Sequence, residues 1–124
     1  MDYKDKWFVI LNPVASGGVA RKKWPYVQQL LKEHGLAYDF AITHGPGHAI
    51  KLAREGVEKG YRKIMAIGGD GTNNEVVNGI CMQKVVPSQE VVYTILPLGT
   101  GNDWVKMYKI SQDIFHSVYR LVKR

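Results

Sequence analysis

Three glycines surround one aspartate, and a threonine follows, in the segment Gly68-Gly69-Asp70-Gly71-Thr72, which stands between an apolar run and a helical pattern. Because glycine has no Cβ atom, the backbone can come close to an anion, and the N-terminal amides of the next helix would point at that anion. A carboxylate among phosphates is repulsive unless a metal ion or a reacting hydroxyl is also present. If this turn holds phosphate, the Asp70 carboxylate therefore requires such an ion or hydroxyl beside it. The alternative for the glycines is a tight turn with a purely structural role.

Three more glycine-bearing loops follow apolar runs, and each one offers polar groups to a ligand. The loop NPVASGG provides Asn12 and Ser16, and THGPGH provides Thr43 at the end of an apolar run, where its hydroxyl can face a site. The loop PLGTGND provides Gly99 and Thr100. None of these loops has the Gly-Lys-Ser or Gly-Lys-Thr of a P-loop, and the Rossmann fingerprint is also absent.

Several polar side chains in these loops have a simpler interpretation. His44 and His48, taken singly, are expected at the surface or as capping residues. Asn102 or Asp103 could serve only as the N-cap of a helix. The joint presence of four glycine-bearing loops is thus a stronger indication of a phosphate site than any single loop.

The elements that must position these loops alternate between strands and helices. The apolar runs KWFVIL, LAYDFAI, KIMAI and VVYTIL each lead into one of the four loops. Nearly unbroken apolar runs are typical of strands covered on both faces, and their alternation with helices predicts parallel pairing. We therefore expect an α/β fold with three layers, a mostly parallel sheet flanked by helices. In such a sheet the four loops gather at the carboxyl ends of the strands and can share one site.

Four helices are predicted from apolar residues at helical spacing, and all four stripes are expected to face the core. The stripes are Val27, Leu30, Leu31 and His34; Ala49, Ile50, Ala53 and Val57; Val76, Val77, Ile80 and Cys81; and Ile114, Val118, Leu121 and Val122. Gly35 and Gly60 are expected at helix C-termini. Cys81 is the single cysteine and is expected to be a buried thiol.

The composition indicates one folded domain. The chain has 124 residues, of which 45% are hydrophobic, so disorder is not expected. One cysteine cannot form an internal disulfide, and no zinc pattern is present. No apolar run reaches the roughly 18 residues of a membrane span, and the N-terminus lacks the basic segment and cleavage site of a signal peptide. A cytoplasmic chain is expected.

The net charge of +6 includes basic clusters at Arg21 to Lys23 and at Arg120 to Arg124. Such clusters are typical of solvated surface, and they also suit contact with anionic lipid. No helix-turn-helix, zinc-finger or alternating aromatic and basic pattern is present, so a nucleic-acid partner is not expected.

The segments NPVASGG, THGPGHA, IGGDGTNNEVVNGI and LPLGTGND together resemble the catalytic domain of diacylglycerol kinase-like lipid kinases, a family that includes sphingosine and ceramide kinases and bacterial lipid kinases. The resemblance spans roughly Lys6 to Asp103. It implies a Rossmann-like fold of the type found in the N-terminal domains of NAD kinases and diacylglycerol kinases. Residues 1–124 would be the nucleotide-binding catalytic domain, and the β-rich lipid-binding domain of the family would be absent from this sequence.

The resemblance also implies that ATP and Mg²⁺ are the cofactors and that Asp70 takes the proton from a lipid hydroxyl. It identifies no Mg²⁺ ligand. This sequence departs from the family at His44, where an acidic residue is common, and at Trp104, where phenylalanine is common. With the turn at Gly68, the nucleotide-contacting positions would be Asn12, Thr43, Gly68, Gly69, Asp70, Gly71, Thr72, Asn73, Asn74, Glu75, Gly99 and Thr100.

The function implied is transfer of the γ-phosphate of ATP to the hydroxyl of diacylglycerol or a related lipid, with this segment inactive alone. The expected partners are the lipid substrate, an anionic membrane surface bound peripherally and a second copy paired through edges that a further domain would cover. Two alternatives remain at this point. One is a soluble small-molecule kinase of the NAD-kinase type, which shares the glycine-aspartate loop, and the other is a non-catalytic ATP-binding module.

Overall fold

A computed structural model of the protein describes residues 3–97, which form a four-stranded parallel sheet between two layers of helices. The strands are β1 (Trp7–Leu11), β2 (Tyr38–Ile42), β3 (Lys63–Gly68) and β4 (Val92–Pro97), in the sheet order β2-β1-β3-β4. The helices are α1 (Ala15–Glu33), α2 (His48–Lys59) and α3 (Asp70–Met82), with short 3₁₀ turns at Tyr3–Asp5 and Ser88–Glu90. The predicted fold class is confirmed.

The strand register brings the carboxyl ends of the strands to one edge of the sheet. Leu11 pairs with Ile42 on one side and with Ile67 on the other, and Gly68 pairs with Pro97. The loops that follow β1, β2 and β3 therefore meet at this edge, as the sequence predicts. The loop after β4, with Gly99 and Thr100, lies outside the described residues.

Each face of the sheet has its own hydrophobic core. The core beneath α1 contains Trp24, Val27 and Leu31 with the side chains on one face of β1 and β3. The core beneath α2 and α3 contains Ala53 and Val76 with the side chains on the other face. The two central strands are buried on both faces, whereas Phe40 on β2 and Ile95 on β4 are exposed. The expectation of strands covered on both faces thus holds only for the centre of the sheet.

Helix α1 buries a face that differs from its predicted stripe. Lys23, Trp24, Val27 and Leu31 are buried, Leu30 is half-buried, and His34 is exposed beyond the last helical residue. In the basic cluster, Arg21 and Lys22 are exposed as expected, whereas Lys23 is buried. Helix α1 is followed by Gly35 at a φ of 69°, and α2 is followed by Gly60 at a φ of 131°, so both predicted C-terminal glycines are confirmed.

Helix α3 packs so closely on α2 that its inward face is set by a glycine. A Cβ atom on Gly79 would lie 2.3 Å from the carbonyl oxygen of Ile50. This approach buries Val76 and Ile80 and turns Val77 and Cys81 to the surface. The prediction of a buried Cys81 thiol is therefore wrong, and so is half of the third stripe. The fourth stripe, at residues 114–122, lies outside the described residues. No helix within residues 3–97 is long and apolar enough to cross a bilayer.

Candidate functional site

A cleft of about 520 Å³ opens at the carboxyl edge of the sheet, between the loops that follow β1 and β2 and the start of α3. Three of the four glycine-bearing loops of the sequence thus contribute to it or border it. The residues that line the cleft are Asn12, Pro13, Val14, Arg21, Ile42, Thr43, His44, Gly45, Pro46, Ala49, Gly71, Thr72 and Glu75.

Asn12 joins the first loop to the third. Its backbone N–H donates to the carbonyl of Ile67 at 2.9 Å, which continues the pairing of β1 with β3 by one residue. The side-chain nitrogen Nδ2 donates to Oγ1 of Thr72 at 3.1 Å, and Oδ1 accepts the N–H of Val14 at 3.2 Å. The Asn12 amide therefore uses both of its ends to hold the cleft wall together.

Gly68 is required by the packing of Thr72. The Thr72 side chain is only 5% exposed, and a Cβ atom on Gly68 would lie 2.5 Å from its Oγ1. An alanine at this position would displace the hydroxyl to which Asn12 donates. The first glycine of the motif therefore has an internal reason to be glycine, independent of any ligand.

No packing contact within the described residues requires glycine at the positions of Gly69 and Gly71. A Cβ atom on either residue would meet no atom within 4 Å, and both glycines are exposed. Gly69 is the N-cap of α3 in an extended conformation, and no side chain caps this end of the helix. The first amides of α3 are thus left open to an external acceptor, beside backbone that a bulky ligand can approach.

Asp70 is the first residue of α3 and is exposed at the helix N-terminus. A carboxylate is favourable there because the helix dipole is positive at this end. Within residues 3–97 its carboxylate has no hydrogen-bond or ion-pair partner, and it lies beside the cleft rather than in its wall. Asn74, one turn along α3, is also exposed and outside the wall. The Asp70 carboxylate is therefore free to meet a ligand at the rim.

Asn73 is turned towards β4. Its Oδ1 accepts a hydrogen bond from the hydroxyl of Tyr93. Burial raises the pKa of Tyr93 to about 12, so this hydroxyl keeps its proton at neutral pH. Asn73, predicted as a nucleotide contact, thus has its side-chain oxygen engaged in fixing α3 on the sheet.

The loop after β2 forms the opposite wall of the cleft. The N–H of Thr43 donates to the carbonyl of Leu11 at 2.9 Å, and the buried Thr43 side chain lines the cleft. His48, the first residue of α2, accepts the N–H of His44 on its Nδ1 at 2.9 Å, and the two rings stack with centroids 5.1 Å apart. The expectation of a surface or capping position describes His44, which is exposed and lines the cleft, whereas the half-buried His48 binds the loop before α2 and does not cap the helix.

Glu75, predicted as a nucleotide contact, binds the backbone ahead of α2. Both of its carboxylate oxygens accept the N–H of Gly47 at 3.2 Å, and Gly47 has a φ of 83°. A side-chain carboxylate of α3 thus occupies the N-terminal end of α2. The open N-terminus at this cleft is therefore that of α3.

Arg21 lines the cleft but is not among the residues that the sequence predicts to contact the nucleotide. It extends from α1 into the cleft wall, is exposed, and has no hydrogen-bond or ion-pair partner within the described part of the chain. Its position in a run of three basic residues, of which Lys22 is exposed and Lys23 buried, concealed this role. Only tertiary structure distinguishes the three.

Carboxylates and histidines do not converge on a metal site in the described residues. No group of three or more His, Cys, Asp or Glu side chains is placed to hold an ion between residues 3 and 97. Gly99 and Thr100, also predicted as nucleotide contacts, lie beyond those residues.

Comparison with known proteins identifies the family of the chain. The family model described as the diacylglycerol kinase catalytic domain matches residues 6–124. The chain belongs to this family. A diacylglycerol kinase of Staphylococcus saprophyticus is 32% identical over 110 residues, which are 89% of this chain and 35% of that protein.

Two further proteins are similar to the chain. Sphingoid long chain base kinase 5 of Saccharomyces cerevisiae is 35% identical over 98 residues, 77% of this chain and 14% of that protein. A solved diacylglycerol kinase structure from Bacillus anthracis str. Sterne matches 96% of this chain and 42% of its own, with a TM-score of 0.66 and 27% identity. The chain spans only 35–38% of the length of three curated relatives that it matches, one of which is the Staphylococcus saprophyticus protein.

Proposed function

We propose that this chain is the nucleotide-binding domain of a lipid kinase that transfers the γ-phosphate of ATP to the hydroxyl of diacylglycerol or a related lipid. The observation that carries the proposal is the open N-terminus of α3, where Gly69 and Gly71 leave backbone accessible beside the cleft. Membership of the diacylglycerol kinase catalytic domain family supports the same chemistry. The acceptor lipid and its binding domain lie outside this segment in the proposal.

The triphosphate would lie along the first turn of α3. The free amides of this turn would donate to the phosphate oxygens, and the hydroxyl of Thr72 can still donate its proton, because Asn12 uses that oxygen as an acceptor. Arg21 adds a positive charge from the opposite side of the cleft. Thr43 and the apolar Ile42 and Pro46 would contact the remainder of the nucleotide.

Asp70 would act on the acceptor hydroxyl. In the proposed reaction the lipid oxygen forms a bond to the γ-phosphorus while the bond to the bridging oxygen of ADP breaks, and the hydroxyl proton passes to the Asp70 carboxylate. The exposed position of Asp70 at the cleft rim, without a partner in the described residues, supports this role. A carboxylate already engaged by a cation would be a poorer base.

Mg²⁺ suits these residues as an ion carried by the nucleotide. Mg²⁺ commonly binds one or two carboxylates together with substrate phosphates, and it would neutralise charge on the transferred group. The described residues contain no cluster of three ligands, which agrees with a site completed by phosphate oxygens.

The decisive experiment is a screen of acceptors with labelled ATP, using the longest available protein that contains this sequence. We expect label in a lipid and not in NAD or other soluble hydroxylated molecules. Transfer to soluble acceptors alone would replace the lipid assignment with the small-molecule kinase alternative. In parallel, calorimetry on the 124-residue chain should detect Mg²⁺-dependent ATP binding without turnover, since we propose that the segment is inactive alone.

Peripheral binding to anionic membranes is part of the same proposal. The net charge of +6 favours such a surface, and a lipid acceptor would be presented there. Sedimentation with phosphatidylserine vesicles should retain the chain at low salt and release it as ionic strength rises. Equal retention on neutral vesicles would contradict an electrostatic attraction. Analytical ultracentrifugation of the same sample would test for the proposed homodimer.

A further inference from the structure

Three backbone N–H groups of the loop that forms the Thr43 wall of the cleft donate hydrogen bonds to other parts of the fold. The N–H of Thr43 is held by β1, the N–H of His44 by the imidazole of His48, and the N–H of Gly47 by Glu75. Ionisable side chains accept two of these three hydrogen bonds. His48 and Glu75 therefore help to set the position of this wall.

The hydrogen bond from the His44 N–H to His48 can form only when the imidazole is neutral. Its Nδ1 accepts a hydrogen bond at 2.9 Å, so this nitrogen must carry a lone pair and the ring proton must be on Nε2. A protonated imidazole has a hydrogen on both nitrogens and cannot accept. Histidine is the side chain whose charge normally changes between pH 5 and 8.

The charged and titratable groups around His48 come from three parts of the fold. His44 stacks on its ring from the loop, and Lys51 lies one turn further along α2. From α3, Glu75 holds the preceding N–H, and Asp70 begins the helix. Strand β1, which packs against α2, has no ionisable side chain between Trp7 and Leu11.

We propose that His48 is a positioning residue for the nucleotide cleft. Its neutral imidazole holds the main chain of His44, and with it the Thr43 wall, in the position that receives the nucleotide. Protonation removes the acceptor, releases the His44 N–H and lowers nucleotide affinity. The inference rests on the proposed nucleotide-binding function, and it adds a residue outside the cleft lining to the site.

The first test compares the pH dependence of Mg²⁺-ATP affinity in wild type, His48→Asn and His44→Gln. An asparagine at a helix N-terminus can accept the same N–H through its carbonyl oxygen and does not titrate. We expect wild type to lose roughly two- to tenfold in affinity relative to His48→Asn between pH 7.5 and 5.5, the factor that one hydrogen bond is worth. Protonation of the nucleotide itself affects all three proteins equally and cancels in the ratios.

The His44→Gln variant removes the other imidazole of the stacked pair but keeps the backbone donor. Because His44 lines the cleft, this variant measures how much the His44 side chain itself contributes to the pH dependence of affinity. Parallel profiles for wild type and His48→Asn would overturn the proposal. Thermal melting of each variant confirms that the compared proteins are folded.

The second test needs no nucleotide. In an NMR titration, the amide proton of His44 should shift with the same midpoint as the His48 ring, and ring nitrogen shifts at neutral pH should identify the Nε2–H form. A His44 amide that ignores the titration of His48 would overturn the proposal. If no nucleotide binds at any pH, the proposed function is wrong. The NMR titration still shows whether His48 accepts the hydrogen bond from the His44 N–H.

Discussion

Nδ2 of Asn12 donates a hydrogen bond to Oγ1 of Thr72 at 3.1 Å, across 60 residues of sequence. Asn12 follows β1, and Thr72 lies in the first turn of α3, so this single contact joins two of the loops at the cleft. Because Thr72 is buried, its hydroxyl has little access to water and depends on this partner. The bond therefore holds the candidate phosphate loop against the end of the central strand.

Replacement of Asn12 by alanine should destabilise the fold and weaken nucleotide binding. The change removes the donor to Thr72 and the acceptor for Val14, so we expect the free energy of unfolding to fall by about 1–2 kcal/mol. Urea unfolding measures this loss. The control is Asn74→Ala, which truncates an exposed asparagine of the same motif and should stay within about 0.5 kcal/mol of wild type. Equal stability of the two variants would contradict a structural role for the Asn12 bond.

Replacement of Asp70 by asparagine should abolish phosphoryl transfer and leave the fold intact. The side chain keeps its size and loses the charge needed to accept a proton, and its exposed position at the start of α3 limits any change in stability. The measurement is kcat for lipid phosphorylation by the longest available protein, alongside ATP affinity. Unchanged turnover would remove Asp70 from the mechanism.

The glycines of the motif should separate into structural and ligand-facing positions. Gly69→Val places a side chain in open space, so we expect near-normal stability with a large loss of ATP affinity, because the branched side chain occupies the phosphate approach. Gly68→Ala instead places a Cβ atom 2.5 Å from Oγ1 of Thr72 and should cost about 1–3 kcal/mol of stability.

Thermal melting and calorimetry on both glycine variants test this separation. Normal ATP affinity in Gly69→Val would indicate that the turn has only a structural role. Full stability in Gly68→Ala would mean that Thr72 can move aside without loss.

Replacement of Arg21 by glutamine should reduce affinity for ATP by roughly tenfold, the size of one charge-assisted contact, and leave adenosine binding unaltered. Arg21 lines the cleft and has no described partner that would compete with a phosphate. Lys22→Gln is the matched control, since Lys22 is the exposed neighbour outside the cleft wall. Calorimetry at two salt concentrations distinguishes a direct contact from general attraction. Equal losses in both variants would assign the effect to net charge alone.

Acid should destabilise the fold through Asp39, at the sheet edge opposite the cleft. The hydrogen bond donated by Tyr61, followed by the contact with Lys6 at 3.2 Å, lowers the pKa of Asp39 below its usual value. The folded pKa is therefore below the unfolded value of about 3.9, so this contribution is complete above that pH. It is lost as pH falls through the folded pKa.

Urea unfolding of wild type and Asp39→Asn between pH 2 and 6 measures this linkage. The variant should lose less stability than wild type on acidification, because it has no carboxylate to protonate at this position. Identical slopes for the two proteins would show that the acid sensitivity arises elsewhere. The burial that raises the pKa of Tyr61 keeps its hydroxyl a donor throughout this range.

The strands and their loops were predictable because their signals are local. The runs in β1 and β3 are apolar at nearly every position, which is what burial on both faces requires, and a glycine-bearing loop follows each one. Parallel pairing then places those loops at one edge without further information. The expectation of burial fails at the edge strands, where Phe40 and Ile42 on β2 are exposed although their strand is largely apolar.

Helix faces and side-chain partners were not predictable in the same way. Val77 and Val76 are equally apolar, and the choice between them depends on the close approach of Gly79 to Ile50 on another helix. Likewise, Asn73 and Glu75 are suited to a ligand by their chemistry. Their contacts with Tyr93 and Gly47 arise only when β4 and α2 are in place.

The sequence by itself determined the α/β class, the family and the three described loops that meet at the cleft, because hydrophobic period and loop chemistry act over a few residues. Tertiary structure decided which members of those loops remain available to a ligand. Gly68 and Asn73 have internal roles, whereas Gly69, Asp70 and Arg21 stay open. Hydrogen bonds and close contacts between residues far apart in sequence depend on how the helices pack on the sheet. A local sequence pattern does not specify that packing.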